Sequence, residues 1–349
     1  MNIDLLKELT EAHGTSGYED AIREIVKREL GGLGTLSTDS MGNLICVKAG
    51  TAGSSAKKLM LAAHMDEIGF VVKFIDSNGF LRLNPLGGWD PRQMNSQRVV
   101  VHTKSGPIQG VLMYGTKPAH LLSDSEKAQG QKLDDFFVDI GLSGETVKSK
   151  VRLGDQVTMD GRFSQIGNHF TCKSMDDRVA VFVMIEALKA AGDHGCDVYA
   201  VATVQEEIGL RGASAAGWSI KPDIAVALDI TLANDIPGVP EPDQITKLGG
   251  GAAIKIMDSS LICHPKIVEH FRSLAEKNEI KHQMEILSRG GTDAGGIQRL
   301  HGGIPSFTLS IPSRYVHTVN ETVHAEDVQA CIDLLARYIE DAQNGDYAY

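Results

Sequence analysis

Leu61-Ala62-Ala63-His64-Met65-Asp66-Glu67-Ile68-Gly69 sets the architecture of this chain. An uncharged apolar run ends in an imidazole, and a carboxylate follows two residues later. In an extended backbone, positions i and i+2 face the same way, so His64 and Asp66 can act on one site. A histidine that ligates a metal needs a partner on its other ring nitrogen, commonly a carboxylate, and Asp66 is placed for that. The same two residues also fit a purely structural hydrogen-bonded pair. Only the rest of the chain separates the two.

Before the run, residues 2–13 carry Ile3, Leu5, Leu6 and Leu9 among charged positions, and Ile22, Ile25, Val26 and Leu30 repeat at helical spacing. Strand-like segments follow at 44–47 and 58–63. From 70 to 163 the texture changes. Short β-branched runs at 99–103, 108–113, 136–140 and 156–159 alternate with Gly, Pro, Ser and Asp turns, which predicts a small all-β barrel or sandwich. Beyond 163 the α/β alternation returns, with a helix over 179–190, strands over 197–204 and 224–228, and a helix over 265–278. A strand over 306–311 and a closing helix over 325–341 complete it. The expectation is a discontinuous α/β domain, 1–69 with 164–349, interrupted by a β-rich insert at 70–163.

The 349 residues, 42% apolar and 23% charged, suffice for a sizeable core. A net charge of -11 argues against nucleic acid as a partner, because phosphate binding needs a basic face. Five cysteines (Cys46, Cys172, Cys196, Cys263, Cys331) form no CxxC and are odd in number, which fits reduced thiols rather than a disulfide frame. The start, MNIDLLKELTEAHG, is a charged amphipathic helix and not a signal peptide. No apolar run approaches the ~18 residues that span a bilayer. A cytoplasmic protein with no membrane or nucleic-acid partner is expected.

The polar residues fall at strand ends. The 197–204 strand runs into Gln205-Glu206-Glu207, the 224–228 strand into Asp229, and the 306–311 strand is followed by Tyr315-Val316-His317; Ser174-Met175-Asp176-Asp177-Arg178 precedes the 179–190 helix. Ligands of open α/β sheets bind outside the C-terminal strand ends, so His64, Asp66, Glu206, Glu207, Asp229 and His317 can share one crevice with Asp176 or Asp177. Two imidazoles and several carboxylates without a thiolate suit Zn²⁺ or a similar divalent ion. The surplus of acids suggests two metals about 3.5–4 Å apart with a bridging carboxylate and water. Neighbouring side chains leave an extended backbone in different directions, so one of Glu206 and Glu207 can bind metal while the other takes a proton. The residues alone do not choose between these two, or between Asp176 and Asp177.

The stretches AAHMDEIGF, SMDDR, VQEEIGLRGA, ALDIT, GGTDAGGI and PSRYVHT, in that order, with SGYED and KLGGGAAI, cover nearly the whole chain. Through them the chain resembles the TET-type dinuclear-metal aminopeptidases, which include glutamyl and deblocking aminopeptidases and members labelled endoglucanase or cellulase M. The resemblance implies a phosphorylase/hydrolase-like α/β three-layer sandwich with a mixed central sheet and an inserted β-barrel used for dimerisation. It implies His64 on one metal and His317 on the other, Asp176 bridging them, Glu207 and Asp229 as further ligands, Glu206 as general base and Asp66 behind His64. It further implies two divalent ions, Zn²⁺ or Co²⁺, short peptide substrates, and a homo-oligomer that is a dimer or a tetrahedral dodecamer. Two departures stand beside it. Ser174-Met175 replaces a frequent Ala-Leu, and Gly249-Gly250-Gly251 lacks a frequent Lys.

Rival chemistries fare worse. The glycines around Thr292-Asp293 lack the Lys-Ser/Thr of a nucleotide loop, and are better explained by close approach of the backbone to substrate or metal. Ser310 and Ser313 sit in no GxSxG elbow. A glycosidase needs only two carboxylates and has no use for histidine ligands. An idle scaffold would show a degraded ligand set. His13, His102, His194, His270, His282 and His301 read as surface or capping residues, whereas His120 lies in the insert, where a neighbouring subunit can bring it to a site. An acidic substrate side chain would need a cation, for which Arg178, Lys247, Arg289 and Arg314 are candidates.

Overall fold

A computed structural model describes residues 1–349. It divides into two units. One contains Met1–Glu67, Arg162–Val316 and Asn320–Tyr349; the other contains Ile68–Gly161 and His317–Val319.

In the first unit the strand Lys58–His64 lies inside an eleven-stranded mixed sheet. The order runs Thr35–Thr38, Leu44–Lys48, Asp197–Thr203, Lys58–His64, Ile224–Leu232, Ser306–Arg314, Glu321–His324, His169–Cys172, Ser164–Ile166. Ala252–Met257 also pairs with Ser306–Arg314 and carries His282–Ile286 at its side. Lys58–His64 is parallel to both of its neighbours, with Thr203 opposite His64 and Ala227 opposite Ala62. Parallel strands are covered on both faces and so read as unbroken apolar runs, which is why this segment has no polar alternation. Its pleat still sorts the side chains. Leu59, Leu61 and Ala63 enter one core with the helices Ile3–Glu11, Met175–Ala190 and Ala325–Asp341. Met60 and Ala62 enter another with Ala213, Ala216 and Ile220 of the helix Arg211–Ile220 and with Ile297. Helices therefore cover both faces, and the architecture is the three-layer α/β sandwich expected.

The second unit is a closed antiparallel barrel ordered Gly69–Ile75, Leu81–Leu86, Phe136–Asp139, Gly106–Tyr114, Gln97–Thr103, Gln156–Met159. Phe70, Val72, Leu81, Val99, Val101, Leu112, Val138 and Val157 fill it, and the Phe70 and Trp89 rings stack at 4.6 Å. It is not purely β. Ser143 caps a short helix, Gly144–Lys150, whose Val147 is buried in the barrel core. No helix of the protein is long and apolar enough to cross a membrane. All five cysteines are buried and unbridged.

Candidate active site

His64 ends its strand at the carboxyl edge of the sheet and is buried. Its Nε2 lies 3.2 Å from Asp176 Oδ1. Its Nδ1 is 3.0 Å from the Asp66 carbonyl oxygen and 3.5 Å from the Asp66 carboxylate, so the main chain shares in fixing the ring. The Asp66 carboxylate does more than serve His64. It accepts the Ser16 hydroxyl at 2.6 Å and the backbone N–H groups of Glu206 and Glu207 at 3.0 and 3.2 Å. Burial would raise the Asp66 pKa, but these donors and His64 hold it below the ordinary aspartate value.

Asp176 and Asp177 open the Met175–Ala190 helix without being helical: both have non-helical φ/ψ, Ser174 is left-handed, and the peptide between the two aspartates is cis. Glu321 accepts the Asp176 N–H at 2.9 Å. Asp177 accepts the His64 N–H at 3.1 Å through Oδ2, while its Oδ1 has no hydrogen-bond partner. Asp229 lies inside Ile224–Leu232, not at the end of a strand closing at 228, and faces Ser310 across the parallel pair. The ligand atoms of His64, Asp176, Asp177 and Asp229 all lie within 4.8 Å of one another, and Asp176 and Glu207 come equally close. Both aspartates of the pair therefore join the cluster.

So many buried acids perturb one another. Burial, then repulsion from Asp229, pushes Asp177 well above the carboxylate range. Burial also drives Asp229 and Glu206 well up, against the pull of His64. For His64 burial favours the neutral ring, yet the acids, Asp177 foremost, raise it well above its usual value. Asp293, outside the expected set, is buried, takes the Thr203 hydroxyl at 2.5 Å and is pushed up to about 6 by burial. Its only trace in the sequence is its place inside GGTDAGGI.

Glu206 and Glu207 do not continue an extended strand. The strand stops at Thr203, and Gln205 turns left-handed at φ 57°. Gly212, early in the next helix, lies under this turn: a Cβ there would sit 2.4 Å from both Val204 O and Asn43 Oδ1. Gly212→Ala should cost about 1–3 kcal/mol through overpacking and lower kcat with it. Wild-type melting and turnover in that variant would show that the turn has slack. His317 is left-handed, at φ 62°, and belongs to the 317–319 segment of the second unit.

Several expectations need correction. Arg178 cannot greet a substrate: it is fully buried, and its guanidinium donates to the carbonyls of Leu9, Ala12, Gly14 and Met65. Arg314 is held by Asp235 at 2.7 Å, which leaves exposed Lys247 and Arg289 among the four cations. The glycines near Asp293 approach other protein atoms, since a Cβ on Gly295 would lie 2.2 Å from Ser260 Oγ. His194 is buried against the Cys196 carbonyl, and His102 and His282 lie in strands. His120 is exposed in a short 3-10 turn, Ala119–Leu121.

Known proteins resemble this chain over nearly its whole length. A family model described as M42 glutamyl aminopeptidase matches residues 42–334. The lysyl aminopeptidase of Pyrococcus furiosus is 36% identical over 356 residues, covering 99% of this chain and 98% of its own. The structure of aminopeptidase APDkam598 from Desulfurococcus kamchatkensis superposes with a TM-score of 0.92 at 40% identity, over 97% and 94% of the two chains. The TET1 peptidase of Pyrococcus horikoshii, described as assembling into a tetrahedron or a large octahedral shell, gives a TM-score of 0.85 at 32% identity, over 97% and 98%. With its fold, its acid-histidine cluster and these relatives in agreement, the chain belongs to the M42 aminopeptidase family.

Proposed function

We propose that this aminopeptidase uses a two-cation centre. His64 and Asp229 would hold one cation and Glu207 and His317 the other, Asp176 would serve both, Glu206 would be the general base and Asp66 would hold His64. The observation that carries this is the packing of three buried aspartates around one imidazole with ligand atoms within 4.8 Å, one oxygen of Asp177 being left without a partner. Like-charged acids in so little water are stable only when protonated or when a cation joins them. Hard oxygens with imidazole nitrogen suit Zn²⁺, with Co²⁺ as an alternative.

Two divalent ions would supply Lewis acidity toward the scissile carbonyl and acidify a bound water. Glu206 accepts the proton of the attacking water and returns it to the leaving amine. Asp66 accepts its backbone N–H and so holds it in place. Short peptides are the substrates we assign, in the cytoplasm. The chain would act as a homo-oligomer of dimers joined through the barrel insert, up to a tetrahedral dodecamer.

Dialysis against a chelator should abolish release of an aminoacyl-p-nitroanilide, and Zn²⁺ or Co²⁺ should restore it. Undiminished activity in EDTA would sink the metal mechanism, and hydrolysis of a β-glucan run in parallel would favour a glycosidase. Proton release tests the same centre. In the metal-free site burial raises Asp229 and the surrounding acids raise His64, so protons compete with a cation for these two ligands and are displaced as it binds. Affinity should therefore climb with pH, about tenfold per unit for each proton released. Calorimetry in two buffers of different ionisation heat measures this, and identical heats would contradict it.

A further inference from the structure

Four consecutive backbone amides carry the turn that bears Glu206 and Glu207, and each donates to a side chain from elsewhere. Val204 N–H donates to Asn43 Oδ1 at 3.0 Å and Gln205 N–H to Glu19 Oε1 at 3.1 Å. Glu206 and Glu207 N–H donate to the two Asp66 oxygens at 3.0 and 3.2 Å. A left-handed non-glycine residue, Gln205, sits at the start of this turn, a conformation that a chain keeps only when its surroundings impose it. The surroundings here are three carbonyl-bearing side chains.

Two of the supports trace to one short loop. Glu19 is 2% exposed, and besides Gln205 it accepts the Gly17 N–H at 2.7 Å. Ser16 is buried and donates to Asp66 Oδ2 at 2.6 Å, the oxygen that also receives Glu207 N–H. The loop is itself pinned to the strand end: Gly14 N–H donates to Glu67 Oε1 at 2.9 Å and Glu67 N–H to Gly14 O at 3.0 Å. The local turn alone would explain the Glu19 bond to Gly17, two residues back. It does not explain a bond to Gln205, 186 residues along the chain.

We propose that Ser16 and Glu19, in the loop between the first two helices, are positioning residues for the Gln205-Glu206-Glu207 turn. Both are buried, and neither is among the converging ligand atoms. Glu19 fixes the turn directly, and Ser16 fixes it through Asp66. Displacing a base by about 1 Å is enough to cost about 10²-fold in rate. The proposal rests on the assignment above of Glu206 as base and Glu207 as ligand.

The test uses full-length Glu19→Leu, Glu19→Gln, Ser16→Ala and Ser16→Thr, each assayed for kcat and KM and, after Co²⁺ substitution, for the visible absorption of the bound ion. Glu19→Leu should lower kcat about 10–100-fold, as loss of outer-sphere support does, with KM within about threefold of wild type and a changed Co²⁺ spectrum. Glu19→Gln, whose amide oxygen still accepts, should stay near wild type. Ser16→Ala should move the same readouts in the same direction, and Ser16→Thr should restore them. Wild-type kcat and spectrum in folded Glu19→Leu, with only a lower melting temperature, would make Glu19 a support of its own loop and overturn the proposal. Should Glu19→Leu not fold, Ser16→Ala decides by the same criteria. Full activity in Glu206→Gln would remove the base assignment alone, because the Co²⁺ spectrum of Glu19→Leu reports Glu207 independently.

Discussion

Glu206→Gln should lower kcat by about 10²–10⁴-fold, the share usually carried by a general base, while the protein keeps its full complement of divalent ions. The backbone of residue 206 donates to Asp66 whatever its side chain, so the amide variant keeps the turn and its bond at 3.0 Å. Glu206 is also absent from both groups of converging ligand atoms. Glutamine therefore removes a proton acceptor and little else, and KM should scarcely change. The separation of the two glutamates makes the test sharp. Glu207 shares its cluster with Asp176, so Glu207→Gln should lower metal content first and rate as a consequence. Metal analysis beside kinetics distinguishes them. Loss of metal from Glu206→Gln, with turnover rescued by excess Zn²⁺, would exchange the two roles.

The parts of this protein that the sequence discloses are those set by local pattern. The uncharged run before His64 reads as a strand buried on both faces, and it is one, because Leu59, Leu61 and Ala63 face one core and Met60 and Ala62 another. The short runs of the insert read as a barrel because turn residues separate them at hairpin spacing. What stays hidden depends on distant partners. The strand through Asp229 looks as though it should stop at the charge, since nothing nearby shows how a carboxylate is tolerated inside a sheet. The strand nevertheless continues to Leu232, and burial holds the Asp229 carboxyl well above its usual value against the pull of His64, far off in sequence. Gln205 carries no glycine or asparagine to announce a left-handed turn, and the Asp66, Glu19 and Asn43 side chains that impose it come from other segments. Arg178 shows the opposite failure. Next to an acidic site it looks like a substrate anchor, yet it is spent on four backbone carbonyls.

Lys255→Met should destabilise the protein by about 3–5 kcal/mol, the usual consequence of stripping one partner from a buried ion pair. Lys255 and Glu285 are both fully buried on adjacent parallel strands and bonded to one another, and Glu285 Oε1 also receives the Thr231 hydroxyl at 2.6 Å. Glu285 Oε2 already lacks a partner, so without Lys255 the carboxylate keeps one neutral hydrogen bond. Lys255→Met with Glu285→Leu should recover most of the loss, because well-packed apolar replacements of a buried pair are often neutral or better. Chemical denaturation of the metal-free protein measures both, and a single variant as stable as wild type would show that water reaches the pair. The double variant then separates stability from function. The Lys255 ammonium, after His64, favours the ionised form of Asp229, and Asp229 shares a strand with Thr231. A protein that regains its stability but binds its cations more weakly, and more so at low pH, would place the role of this pair in keeping Asp229 ionised as a ligand.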